Sequence, residues 1–206
     1  MSGAFPISSA KFSTLGIKST QNTLVSITDS GKKLSRQIDG QRFGFTAQII
    51  TAKRSDVYGE LMAFIMKQRS NKENFTIIPP EVSNARGSET GTVLVDGSHS
   101  AGDTTILMNG FANNTAGVFK AGDFIKFANQ TKVYMIISDV TPSSNSATVT
   151  IEPPLVSSLA DDEAVTYDNV PFTVYMTNNI QEFGLVGADK DGNALYQFEI
   201  DVEEAL

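Results

Sequence analysis

The stretch Ala121-Gly-Asp-Phe-Ile-Lys-Phe-Ala-Asn-Gln-Thr-Lys-Val-Tyr-Met-Ile-Ile-Ser-Asp-Val140, followed by Ala147-Thr-Val-Thr-Ile-Glu-Pro-Pro-Leu155, decides how this chain is read. It spells a strand, a tight turn at Asn129-Gln130, a long strand, and a third strand ended by Pro153-Pro154, which cannot donate to a ladder. No catalytic pattern lies in it. It reads as a compact β module carried inside a larger protein, an arrangement typical of parts that assemble.

On either side of this stretch the short-strand pattern continues, with Thr92–Val95, Thr104–Met108, Asp123–Phe127, Lys132–Ser138, Ala147–Ile151 and Ala164–Tyr167. Strands about every 10 residues, punctuated by Gly, Asn and Pro, predict a small barrel or sandwich over 92–168. Before it, the polar Gly/Ser-rich residues 81–91 have the character of a linker. Farther out, residues 1–53 hold extended segments at Lys11–Ile17, Thr23–Ile27, Lys33–Ile38 and Arg42–Ile50. Phe43, Phe45, Ala47 and Ile49 alternate onto one face, the period of a half-buried strand. With turn chemistry at Asp29-Ser-Gly31 and Asp39-Gly40, these segments predict an antiparallel meander.

Ser55 is placed to cap a helix over about 55–69, whose stripe Val57, Leu61 and Phe64, flanked by Tyr58, Met62 and Ile65, predicts packing across a sheet. Asn74–Ile78 reads as a strand halted by Pro79-Pro80. After the module, Val170–Thr177 and Ala194–Val202 return to longer strands. Leu195, Phe198 and Ile200 break strict alternation, which predicts a bulge near Tyr196 or Gln197. The expected fold is mainly β with one helix. A host β-sandwich or barrel from 1–80 plus 169–206 carries an inserted small β-barrel at 92–168, with 81–91 as linker.

Composition narrows the function. The 206 residues include 40% hydrophobic and 19% charged residues, with 13 Phe, enough to bury a sizeable core. A net charge of −7 without a basic cluster beyond Lys32-Lys33 and Lys53-Arg54 argues against direct nucleic acid binding. No apolar run approaches the roughly 20 residues that span a bilayer, so no membrane insertion is expected. Met1-Ser-Gly-Ala-Phe-Pro6 lacks the basic and apolar regions of a secretory signal. Without Cys there are no disulfides or thiolate sites, consistent with folding in a cytoplasm.

The chemistry that could have been present is sparse. His99 is the one histidine, in the polar turn Asp96–Gly102, and we read it as a solvated turn residue rather than a general base or ligand. Asp189-Lys-Asp-Gly-Asn193 suggests a calcium loop, but Ala194 and Ile200 stand where Gly and Glu are required, so Asp191-Gly192 reads as a hairpin turn. Asp161-Asp-Glu163 reads as a solvated acidic loop. Phosphate-binding glycine motifs are absent from the sequence. No catalytic, cofactor-binding or metal-binding residue is nominated, and no cofactor is expected.

Ala121–Phe127, Lys132–Ile136, Ala147–Leu155 and Asp162–Val165 resemble a module that recurs in structural proteins of tailed bacteriophages. The resemblance covers most of 92–175, which is similar to distal tail or baseplate adaptor proteins. It implies a non-enzymatic virion component, assembled in the host cytoplasm. Such a protein forms a ring, a hexamer by the family pattern, and joins the tail tube to hub or receptor-binding proteins. An acidic lumen would let DNA pass without sticking. Two other classes remain open: a carbohydrate- or host-receptor-binding module presenting Phe111, Phe119, Phe124, Phe127 and Tyr134, and a tail-associated glycosidase.

Overall fold

The computed structural model describes residues 3–6, 11–38 and 40–206. Its strands are β1 (Phe12–Thr20), β2 (Thr23–Ile27), β3 (Lys33–Gln37), β4 (Arg42–Lys53), β5 (Phe75–Ile77), β6 (Leu94–Val95) and β7 (Thr105–Asn109). They continue with β8 (Phe124–Phe127), β9 (Val133–Ile136), β10 (Ser146–Glu152), β11 (Val165–Thr166), β12 (Phe172–Met176), β13 (Gly184–Ala188) and β14 (Ala194–Glu204). One helix, α1 (Gly59–Lys67), follows β4. The chain is thus mainly β, with a single α-helix among the described residues.

A first sheet has the order β1-β4-β14-β12-β5, with β13 also pairing β14. On the edge away from β4, β14 pairs β13 near its start (Ala194–Gln197) and β12 near its end (Val202–Glu204). The alternation expected on β4 is realised: Phe43, Phe45, Ala47 and Ile49 are buried against Phe172, Val174, Phe198, Ile200 and Val202. A register break between Tyr196 and Phe198 against β4 supplies the expected bulge.

The N-terminal segments do not form a meander. β1 pairs directly with β4, from Thr14↔Gln48 to Thr20↔Arg42, and β2 pairs with β3 to prolong that ribbon as an arm. Among the described residues β2 and β3 pair only with each other, joined to the ribbon by the Ile38 amide on the Asn22 carbonyl. All ten arm strand residues are exposed. The register explains this: Leu24 and Leu34 share one face with Arg36, while Val25 and Ile27 share the other with Lys33, so neither face is apolar enough to join a core. Asp39 of the expected Asp39-Gly40 turn lies outside the described residues.

The helix starts earlier than its sequence signals indicate. A π-helical turn at Arg54–Tyr58 runs into α1, and Ser55 sits inside that turn, its hydroxyl donating to Asp56 instead of capping. The wider turn rotates the buried stripe to Val57, Tyr58, Leu61 and Ile65, leaving Phe64 half-buried and Met66 exposed. The Tyr58 hydroxyl donates to the Ile50 carbonyl, fixing the helix on β4.

Strands β6 to β11 form a second sheet in the order β11-β8-β9-β10-β7-β6. Its ends meet through the Leu94↔Ala164 bridge and the Val165 amide on Val93, so it is nearly closed like a barrel. Val95, Ile106, Phe119, Phe127, Tyr134, Ile136 and Val149 fill it. Residues 81–91 pack on this barrel: Ser88 and Glu89 donate to the Gly117 and Val118 carbonyls. At Gly87 an added Cβ would stand 1.9 Å from the Val118 oxygen, so only glycine fits this approach.

One polar cluster joins the two sheets. Lys132, at the entry to β9, donates to Glu204 at the end of β14 and to Gln41 Oε1 at 2.9 Å. Its ammonium also lies 4.6 Å from the Phe43 ring centre. Glu204 accepts the amides of Phe43 (3.1 Å) and Val133 (2.7 Å), and Gln41 donates to Ser19 at 2.8 Å. The side chains of Lys132 and Glu204 are 1% and 0% exposed. Burial pushes the Lys132 ammonium down from its ordinary value, opposed by the Glu204 carboxylate.

Removing either partner strands the other charge in the interior, so Lys132→Met or Glu204→Leu alone should cost about 3–5 kcal/mol. The double variant should cost much less than the sum of the two. Chemical denaturation of the full cycle measures the coupling.

Candidate assembly surface

The first sheet ends in strands of unlike character. At β5 the edge is covered by residues 3–5: Phe5 donates to the Thr76 carbonyl at 2.8 Å and Thr76 to that of Gly3 at 3.0 Å. At the other end β1 has β4 on one side and no further strand among the described residues. Of its nine residues only Phe12 and Leu15 are partly buried, and Ile17 is exposed. The second open edge is β13, with exposed Leu185 and Val186, followed back along the chain by exposed Ile180. Open edges that carry apolar residues are templates for strand addition.

Polar side chains brace these edges. On the solvent face, Asp201 accepts Thr46 at 2.8 Å through Oδ1, which also takes Lys18, while Oδ2 takes Thr177, tying β14 to β1, β4 and the end of β12. Burial works against ionisation of Asp201, yet these donors, Lys18 first, hold its carboxyl below its ordinary value. Because residues two apart share a face, Glu199, Asp201 and Glu203 make an acidic stripe opposite the side covered by α1.

The β13–β14 turn follows the hairpin reading of Asp191-Gly192. Asp189 Oδ1 accepts the amides of Asp191 (2.9 Å) and Asn193 (2.8 Å), and Oδ2 pairs with Lys53 at the end of β4. Gly192 has φ +82°, the left-handed conformation such a turn requires. The Lys53 ammonium, then the Asn193 side chain and backbone amides, hold the Asp189 carboxyl well below the usual carboxylate range.

The remaining chemical candidates are structural. His99 is not solvated: its side chain is 15% exposed, and Nε2 accepts the Leu107 amide at 3.2 Å. Nδ1 lies 3.8 Å from Asp103. That backbone bond draws the ring against β7 and was invisible in the sequence, since the acceptor nitrogen pairs with an amide eight residues away. In the acidic loop, Asp161 accepts the Gly97 amide at 2.7 Å. The five aromatics Phe111, Phe119, Phe124, Phe127 and Tyr134 are all buried and present no exposed platform. Burial, opposed by a backbone bond, pushes the Tyr134 hydroxyl up to about 12. Among the described residues no group of three His, Asp or Glu is placed to hold a metal ion.

Residues 81–170 match the family model described as the distal tail protein pb9, B domain. The match supports a structural role in a phage tail, in keeping with the resemblance read from the motifs. No curated protein matches the chain.

Because its folded value lies below the unfolded one, Asp189 stabilises the turn fully above about pH 4 and stops doing so as pH falls through the lower folded value. Amide exchange at Asp191 and Asn193 should stay slow down to that range. Asp189→Asn should speed exchange there at neutral pH while leaving the second sheet unchanged.

Proposed function

With a distal tail protein B domain matched over residues 81–170, we propose that this phage tail protein assembles into a ring at the tail tip and joins the tail tube to hub or receptor-binding proteins. In this reading the first sheet is the host domain that builds the ring, and 92–168 is an inserted barrel displayed from it. The observation that carries the ring is the pair of open edges on one sheet, β1 and β13, the two ends of the four-strand path β1-β4-β14-β13.

Each neighbouring pair in that path is antiparallel. Four is an even number, so a rotated copy presents its β1 antiparallel to β13 and every junction keeps the same geometry. Such head-to-tail contacts close into a ring when the rotation per copy divides a full turn. Six copies would supply roughly 24 strands, which at about 4.8 Å each define a circle about 37 Å across before strand tilt widens it. The face covered by α1 must then turn outward, and the stripe Glu199, Asp201 and Glu203 inward. An inner wall of carboxylates repels nucleic acid phosphates, which suits a conduit.

Purified protein should give a closed oligomer, six copies by the family resemblance, in native mass spectrometry. Val186 has no register partner on β14, because pairing passes from Leu185↔Tyr196 to Gly187↔Leu195. Val186→Pro should therefore keep the fold and abolish the oligomer. A wild-type chain that stays monomeric at high concentration would count against the ring.

A further inference from the structure

Resting on the ring reading, we infer that the β2–β3 arm is a second, separate contact and that it seats on another copy of this chain. The arm is a two-stranded ribbon with all its strand residues exposed, and such a ribbon is marginally stable on its own in water. It also exposes Leu24 (62%), Ile27 (70%) and Ile38 (65%), with Val25 and Leu34 about half exposed. Apolar side chains on both faces of a projecting ribbon mark a surface that a partner covers.

The charge of the arm names the partner. Lys32, Lys33 and Arg36 stand against Asp29 alone, so the arm is basic, whereas the whole chain carries −7. Everything outside the arm is more acidic than that total, and a second copy is the complementary surface present in every assembly. Position supports the same partner. The arm springs from the end of β1, the open edge on which a neighbouring copy would add its strand. At about 3.4 Å per residue, its five-residue strands carry the ribbon roughly 17 Å past the end of β1, alongside whatever strand a neighbour adds there. Strand pairing at β1 fixes the neighbour, and the arm grips it with apolar contacts framed by ion pairs.

The test uses the full chain. Two variants, Lys32→Glu with Lys33→Glu and Arg36→Glu, and Leu24→Ser with Ile27→Ser, change arm residues that touch neither core. Their circular dichroism and thermal midpoints should match wild type, while native mass spectrometry across a dilution series should show at least a tenfold weaker oligomer. Salt should weaken the wild-type oligomer and leave the charge-reversed one insensitive. Rings that persist in both variants at wild-type strength overturn this inference alone, and assign the arm to a different tail protein. A monomeric wild type overturns the ring and the arm contact together.

Discussion

Glu204 is the point at which the two halves of the molecule become one object. Its carboxylate takes an amide from β4, an amide from β9 and the ammonium of Lys132, and it sits where water does not reach. A carboxylate in that position is costly unless every lone pair is answered, so the two sheets approach in the one arrangement that answers them. Apolar contacts such as Phe43 with Phe124, ring centres 5.1 Å apart, add energy but little direction. Lys126, half-buried nearby, donates to the Pro171 carbonyl at 3.2 Å and extends the polar seam along β8.

The same logic separates two kinds of polar residue. Asp123 is buried and serves backbone closure, accepting amides of Arg86 and Lys120 and the Arg86 side chain at 3.0 Å. Asp201 and Asp189 sit at the surface and brace strands that have an open side. A sheet with open edges needs both kinds. Its interior must be fixed before its edges can meet a neighbour in register, and edge strands that wavered would pair with anything.

What the sequence disclosed follows from which forces are local. The alternation of Phe43, Phe45, Ala47 and Ile49 is a property of four residues on one strand, and the hairpin chemistry of Asp191-Gly192 sits within five, so both were legible. The barrel strands were legible for the same reason, with turn residues spaced between short apolar runs. The strand propensity of β2 and β3 is real, and in the sequence alone it looks like part of a meander. Only the pairing of β1 with β4 shows that, among the described residues, β2 and β3 have no sheet to join. β13, with two glycines in its five residues, carries too little pattern to announce itself. Lys132 and Glu204 are 72 residues apart, and no spacing rule connects them. Ser55 shows a local signal outvoted: a good cap was available, but the π-helical turn began one residue before it.

Gly87 bears on where this protein can be cut and joined. The glycine lies five residues before Thr92, yet its backbone passes so near Val118 that the segment and the barrel can only have been shaped together. Glu89 follows, accepting the amides of Thr90, Gly91 and Ala112 through one oxygen. A recombination that transplanted only the barrel strands into a new tail protein would leave this clasp behind and expose a bare wall. The packed unit is therefore longer than its own β-strands and reaches back toward Pro79-Pro80, where the chain has already been released from the ladder.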